Sequence, residues 1–98
     1  MAEHASVIRV TRFQPAPGKR DELLRRLEEG AEQMRQMDGC FGSQICASDQ
    51  SSDAIVAVSR WASRAALDQF LQQSATQRND AAQQLAAGPP TSEHLTPF

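Results

Sequence analysis

Two segments rich in β-branched residues carry apolar side chains on both of their faces, and this feature limits the possible folds more than any other. Side chains alternate between the two faces of a strand, so each segment contributes to two surfaces. Residues 6–14 and 54–61 place Ile8, Val10, Val56 and Val58 on one side and Val7, Phe13, Ile55, Ala57 and Trp61 on the other. A sheet built from these strands therefore has no face suited to water.

A chain of 98 residues has helices enough for only one face of such a sheet. The second apolar face would be a larger exposed patch than soluble monomers tolerate. Packing of two sheets face to face around a twofold axis is the simplest closed arrangement, and it predicts a homodimer.

A long amphipathic helix is predicted between these two strands, over residues 19–37. Its apolar positions follow one stripe of a 3.6-residue helix and are Leu23, Leu24, Leu27, Ala31, Met34 and Met37. Asp21 and Glu22 lie in the first turn, where they complement the positive end of the helix dipole. Asp38-Gly39 is typical of a left-handed glycine cap and predicts the helix end.

The remaining segments complete the order β-α-β-β-α-α-β. Residues 41–48 and 54–61 predict an antiparallel hairpin. Ser63 is a predicted N-cap of one helix, and Ser74 is a predicted N-cap of another. The tail, residues 91–98, predicts a last edge strand. This order is that of a ferredoxin-like α+β fold, in which an antiparallel sheet carries its helices on one face.

The charge and hydropathy patterns exclude several partner classes. The chain has 10 Lys and Arg residues and 12 Asp and Glu residues, so no basic field is present to attract nucleic acid or anionic lipid. No apolar stretch approaches the ~20 residues that span a bilayer, and the first residues lack the pattern of a signal peptide. We expect a single domain over residues 1–98, located in the cytoplasm, with no membrane partner.

The two cysteines are predicted to be free and buried. Cys40 and Cys46 are six residues apart in an extended segment, which places their Cα atoms on the order of 20 Å apart, too far for a disulfide. His4 and His94 lie at opposite ends of the chain, so the thiols have no clustered histidines and no metal site is expected.

Five short motifs, in this order and spacing, resemble the antibiotic biosynthesis monooxygenase (ABM) family across nearly the whole chain. They are Pro17-Gly18-Lys19, Asp38-Gly39-Cys40-Phe41-Gly42, Arg60-Trp61-Ala62-Ser63, Ala65-Ala66-Leu67 and Gly88-Pro89-Pro90. The resemblance implies a dimeric α/β barrel with a pocket in each subunit between sheet and helices. Family members include haem-degrading enzymes and cofactor-independent oxygenases that convert polyketide anthrones or quinols to quinones.

The haem-degrading branch uses an Asn, a Trp and a His that holds the iron, and the matching positions here are Thr11, Phe70 and Asp80. None of the three is kept, so no haem and no other cofactor is expected.

The anthrone oxygenases carry a His, an Asn, a Trp, a Tyr and an Arg at positions that the resemblance places near the substrate. The first four match Cys46, Ala57, Trp61 and Leu67, and Arg78 lies close to the fifth. Only Trp61 is clearly retained, and the chain has no tyrosine.

Other polar groups on strand positions are available to such a pocket, namely Arg9, Thr11, Gln44 and Ser59. A cation such as Arg9 or Arg78 would stabilise a phenolate through a charge-assisted hydrogen bond. The predicted catalytic residues are therefore Trp61, Arg9, Thr11 and Arg78.

Each of these residues also has a structural interpretation. Trp61 is by default a core anchor whose indole N–H needs one acceptor. Arg9 in a strand extends to the sheet rim by default, and Thr11 is common in strands for its propensity alone. His94 in the tail is by default an exposed or interface histidine, with an acid or base role as the alternative.

Three functions are compatible with these observations. The first is a cofactor-independent monooxygenase acting on a small aromatic or quinol-like substrate. The second is a non-catalytic dimeric barrel that binds a small hydrophobic ligand or a partner, favoured by the missing His, Asn and Tyr. The third is a dimeric barrel with a wholly structural role.

Overall fold

The computed structural model describes residues 6–50 and 53–97, and within it residues 74–84 are described by their helical backbone alone. The elements in chain order are β1 (Val7–Phe13), α1 (Arg20–Arg35), β2 (Cys40–Ala47), β3 (Ile55–Trp61), α2 (Arg64–Leu85) and β4 (Thr91–Leu95). Among these residues, no helix is long and apolar enough to cross a bilayer.

The four strands form one antiparallel sheet in the order β2-β3-β1-β4. β1 is central, with Val7 opposite Trp61 of β3 and Ile8 opposite Leu95 of β4. Both helices pack on the same side, which we call the inner face. This arrangement confirms the predicted ferredoxin-like α+β fold, including the edge strand from the tail.

Helix α1 is two residues shorter at its C-terminal end than predicted. It ends at Arg35 with Gln36 as its C-cap, so Gly39 does not cap it. Gly39 instead has φ +85°, and a Cβ at this position would lie 2.6 Å from the Cβ of Ala66. The glycine is required because the chain turns into β2 in contact with the first turn of α2.

One helix, and not two, follows β3. Ser63 caps it as predicted, since its Oγ accepts a hydrogen bond from the backbone N–H of Ala66 at 3.1 Å. The predicted second cap at Ser74 is wrong, because this residue lies inside the continuous helix α2. A helix of 22 residues joins two packing sites, with Leu67 near its start and Leu85 at its end.

Two apolar clusters form the core between the sheet and the helices. One contains Val7, Trp61, Leu67 and Phe70, and the other contains Leu23, Ile55 and Leu85. The rings of Trp61 and Phe70 lie 5.4 Å apart at a tilt of 31°. This separation is in the range where aromatic pairs add to the stability from burial alone.

The opposite side of the sheet, here called the outer face, has an apolar centre, as predicted. Its central side chains are half-buried and comprise Ile8, Val10, Val56 and Val58. Leu95 extends this surface onto β4 and is 40% exposed. The helices lie on the inner face, so the outer face retains an apolar patch of the kind that marks an interface.

The cysteines are free thiols, as predicted, but they are not buried. Cys40 is half-buried and Cys46 is exposed. Burial raises the pKa of the Cys40 thiol, against the smaller opposing effects of its hydrogen bond to the Gly42 carbonyl and of Arg35. Such a thiol is protonated at neutral pH and is therefore a poor nucleophile.

Candidate functional site

Polar side chains replace apolar ones on the inner face where β1 pairs with β4. Arg9 lies opposite His94, and Thr11 lies opposite Ser92. Strand alternation places all four on the side of the sheet that carries the helices. We call these four residues the Arg9 cluster.

The hydroxyl of Ser92 joins the cluster together. Nη2 of Arg9 donates a hydrogen bond to Ser92 Oγ at 3.2 Å. Thr11 Oγ1 lies 3.1 Å from the same oxygen, and either hydroxyl can be the donor. When Ser92 Oγ accepts from Arg9, its own hydrogen is available for Thr11 Oγ1. The guanidinium is thereby held in one orientation on the inner face.

The four residues of the Arg9 cluster differ in their exposure to solvent. Thr11 is only 2% exposed, Arg9 is half-buried, and Ser92 and His94 are exposed. A cation at the half-buried position is screened less by solvent than one on the surface. A ligand entering at His94 would therefore meet a stronger field near Arg9.

His94 also faces charged groups from the start of α2. The pKa of His94 is lowered below its ordinary value of 6.5, first by partial burial, then by the positive charges of Arg64 and Arg9, with Asp68 opposing them. Arg64 Nε and Asp68 Oδ1 form an ion pair at 3.0 Å. The imidazole is consequently neutral at neutral pH and able to accept a proton.

Trp61 has the contacts of a core anchor. Its side chain has no exposed surface, and Nε1 donates a hydrogen bond to Ser59 Oγ at 2.8 Å. Ser59 is itself buried. The single N–H of the indole thus has a protein acceptor, which favours the structural interpretation, and a catalytic role for Trp61 stays a prediction.

The sequence-predicted residues are only partly brought together. Arg9 and Thr11 share the inner face with Ser59, which lies opposite Arg9. The expectation that Gln44 faces the pocket is wrong, because it pairs with Val58 and is exposed on the outer face. Arg78 lies among residues 74–84, outside the side chains that the structure describes.

Sequence reasoning did not include Ser92 in the site and assigned His94 to the surface by default. The signal was present in the tail, since residues 91–95 alternate in a strand that pairs with β1. Once β4 is placed beside β1, Ser92 and His94 lie opposite two residues that had already been selected, Thr11 and Arg9.

The family model for antibiotic biosynthesis monooxygenases matches residues 6–82. The chain belongs to this family. The match includes Arg9 and Thr11 but ends before β4, so the ABM family model does not extend to Ser92 and His94.

Solved structures similar to this ABM domain cover almost all of it. Rv0793 from Mycobacterium tuberculosis is 25% identical, with a TM-score of 0.85 and coverage of 96% of each chain. A Deinococcus radiodurans protein provisionally assigned to the antibiotic biosynthesis monooxygenases is 19% identical, with a TM-score of 0.86 and coverage of 94% of this chain and 92% of that one.

A third similar structure, the NE2512 protein of unknown function from Nitrosomonas europaea, has a TM-score of 0.86 at 16% identity and covers 99% of this chain and 93% of that one. These two more distant structures support the fold alone. No curated protein sequence is significantly similar to the chain.

A concave region of the ABM domain lies between α1 and β2, at the opposite edge of the sheet from β4. This open groove has a volume of about 510 Å³ and is lined on the helix side by charged residues that include Glu28, Glu29 and Glu32. Arg35 crosses it and donates a hydrogen bond from Nη1 to the Ser43 carbonyl at 2.7 Å. Its charged lining does not suit an apolar aromatic ligand.

Among the described side chains, no group of three or more His, Cys, Asp or Glu residues lies close enough together to hold a metal ion. The Arg9 cluster itself supplies a fixed cation, two hydroxyls and a neutral imidazole.

Proposed function

We propose that this protein is a cofactor-independent monooxygenase that binds a small aromatic or quinol-like substrate at the Arg9 cluster. The observation that carries the proposal is the half-buried guanidinium of Arg9, held by Ser92 on the inner face. A guanidinium carries five N–H donors, enough to hold Ser92 and a ligand oxygen together. It is suited to a phenolate, the anion that forms when a phenolic substrate is activated.

The chemistry required of the protein is limited in such a reaction. A phenolic substrate with an activated CH2 group loses one proton, and the resulting electron-rich anion adds dioxygen at that carbon. Protonation gives a hydroperoxide, and loss of water leaves a ketone. One oxygen atom enters the product and the other leaves as water, so carbon loses four electrons, dioxygen gains four, and no reductant is consumed. The protein contributes by stabilising the anion.

The active form is proposed to be a homodimer in which two outer faces pack together. The support is the apolar character of that face and the membership of a family whose proteins are generally dimeric. Such packing covers Val10 and Val58 but not the Arg9 cluster, because the cluster lies on the inner face.

A non-catalytic barrel that binds a small hydrophobic ligand is the second candidate. Two observations favour it, namely that the Trp61 N–H is already donated to Ser59 and that the chain has no tyrosine. Both reduce the number of donors near a substrate oxygen.

A turnover assay distinguishes the two candidates. The purified protein, treated with chelator and free of flavin, is mixed with an anthrone and oxygen-18 gas, and oxygen uptake and label in the ketone are measured. We expect one labelled atom per product and a roughly ten- to a thousandfold lower rate in Arg9→Met, since one preorganised donor is removed. The matched control is Arg26→Met, an exposed arginine of α1, which should retain full activity.

Binding of anthrones and quinols without turnover by the folded wild type would favour the ligand-binding candidate. Equal rates in Arg9→Met and in the wild type would place the chemistry elsewhere.

A further inference from the structure

We infer that His94 of β4 is the catalytic base that takes the proton from a phenolic substrate held by Arg9. This inference rests on the proposed function and adds a residue to it. It concerns a position beyond the part of the chain that matches the family model, which ends at residue 82.

The register of the sheet places the base beside the cation. His94 and Arg9 are directly opposite each other on adjacent antiparallel strands, on the same face. Side chains in such a pair have Cβ atoms about 4.5–5.5 Å apart. In the proposed complex, a phenol oxygen accepts a hydrogen bond from Arg9 and gives its proton to the imidazole on the neighbouring strand, the arrangement that general base catalysis requires.

The charges around His94 hold it in the form that accepts a proton. Arg9 approaches from β1, Arg64 and Asp68 approach from α2, and these are the charged groups that act on it among the described side chains. Partial burial disfavours the imidazolium most, the two arginines add to this effect, and Asp68 partly offsets it. The pKa of His94 thus lies below 6.5, so the neutral base predominates at neutral pH.

The proton balance of the step is simple. The substrate binds as its phenolic tautomer, in which one hydrogen of the activated CH2 group has moved to the oxygen beside Arg9. The O–H bond of this tautomer breaks, the proton bonds to the imidazole nitrogen, and the electron pair is shared between the phenolate oxygen and the carbon that adds dioxygen. The site changes from a neutral pair to an imidazolium–phenolate pair with no change in net charge. His94 is exposed, so the imidazolium then releases its proton to water. The phenolate proceeds to the reaction with dioxygen described above.

Two neighbouring hydrogen bonds fix the positions of the cations near His94. Ser92, two residues before His94 on the same face of β4, fixes the Arg9 guanidinium. Arg64 is held by Asp68, so its charge has a defined position near the imidazole. A histidine that served only to end the edge strand would need neither arrangement.

The test compares wild type with His94→Gln, using Glu93→Gln as the control on the same strand with its side chain on the outer face. Anthrone turnover is followed from pH 5 to 9, and circular dichroism verifies folding. We expect kcat at pH 7 to fall about a hundred- to ten-thousandfold in His94→Gln, and wild-type kcat/KM to rise with pH through the His94 pKa. The rise of kcat/KM with pH should be absent in His94→Gln. Imidazole in the buffer should restore part of the rate of His94→Ala.

Wild-type activity together with an unchanged rate and pH profile in His94→Gln would overturn the inference and leave the proposed function intact. If the wild type shows no turnover, the proposed function fails, and a redox-inert nitrophenol then tests His94 alone. Its binding should ionise the phenol and raise the His94 pKa in NMR titrations. A bound nitrophenol that leaves the His94 signals unmoved would overturn the inference in that case too.

Discussion

The inner and outer faces of the β1–β4 pair are built from the same two strands and differ in chemistry. The inner face carries a cation, two hydroxyls and an imidazole, whereas the outer face carries the apolar Ile8, Val10 and Leu95 beside the exposed, charged Arg12 and Glu93. Polar groups on the side that faces the helices lower the stability of the fold unless they form hydrogen bonds or bind a ligand. Apolar groups on the side without helices form an exposed patch unless another molecule packs against them. The proposed function assigns the inner face to a ligand and the outer face to a second copy of the chain.

The largest effect is expected on the outer face. Val10→Asp and Val58→Asp each place a carboxylate in a surface that the proposed homodimer buries, which should lower the free energy of unfolding by about 3 kcal/mol or more. Sedimentation should show monomers, and thermal unfolding should show a lower Tm. Gln72→Asp, at an exposed position of α2 and away from the outer face, is the control and should be nearly neutral. Wild-type Tm and dimer content in both valine variants would disprove the assignment of the outer face.

A smaller loss is expected in the core beneath the cluster. Trp61→Phe retains most of the ring packing against Phe70 but leaves the buried Ser59 hydroxyl without its donor. An unsatisfied buried group costs about 1–3 kcal/mol, which urea unfolding should detect. Adding Ser59→Ala should recover part of the loss. Activity should stay close to wild type, because Trp61 has no exposed surface; a large fall in kcat with little loss of stability would assign the indole a catalytic role.

A still smaller effect is expected when the serine that holds the cation is removed. Ser92→Ala frees the Arg9 guanidinium from its anchor while Ser92 itself is exposed, so stability should change by about 0.5 kcal/mol or less. Binding of a phenolate should weaken several-fold, because the guanidinium must then be ordered by the ligand. Isothermal titration with a nitrophenol measures this change. Unaltered affinity in Ser92→Ala would show that the hydrogen bond does not position Arg9.

The smallest expected change is in the titration of His94. Its pKa is lowered partly by Arg64 and Arg9, so Arg9→Met should raise it, while Asp68→Asn should lower it further. Because the folded pKa lies below the unfolded one, this group lowers stability as pH falls through 6.5 and has no effect well above it. NMR titration of the imidazole gives both directions. A pKa that does not respond to Arg9→Met would separate His94 from the Arg9 cluster.

The sequence predicts the faces of β1 and β3 correctly because strict alternation leaves little freedom in an unbroken strand. The predicted assignment of side chains to the two faces is wrong at β2, where a bulge between Cys40 and Gly42 inserts one residue opposite β3. Cys40 packs in the core, but the bulge reverses the alternation and moves Gln44 to the outer face. Such an insertion has no clear signal in composition or periodicity.

Helix α2 shows a different limit. Ser74 resembles a cap, yet the helix continues through it, because the packing of Leu67 at one end and Leu85 at the other overrides local preference. Only the two β1 residues of the candidate site can be predicted from the sequence, because the other two depend on strand pairing. Arg9 and Thr11 were found from their own strand, whereas Ser92 and His94 gain meaning only from the long-range pairing of β4 with β1.

The most direct test of the central claim is the ionisation state of a bound phenol. A redox-inert nitrophenol, whose absorption differs between phenol and phenolate, is titrated into wild type, Arg9→Met and the exposed control Arg26→Met at a pH below its own pKa. The account predicts that wild type and Arg26→Met bind the phenolate and lower its pKa by about one unit, equivalent to 1.36 kcal/mol, and that Arg9→Met does not. A bound nitrophenol that stays protonated in the wild type, or that ionises equally in Arg9→Met, would contradict the claim that the inner face of β1 and β4 is a phenolate site.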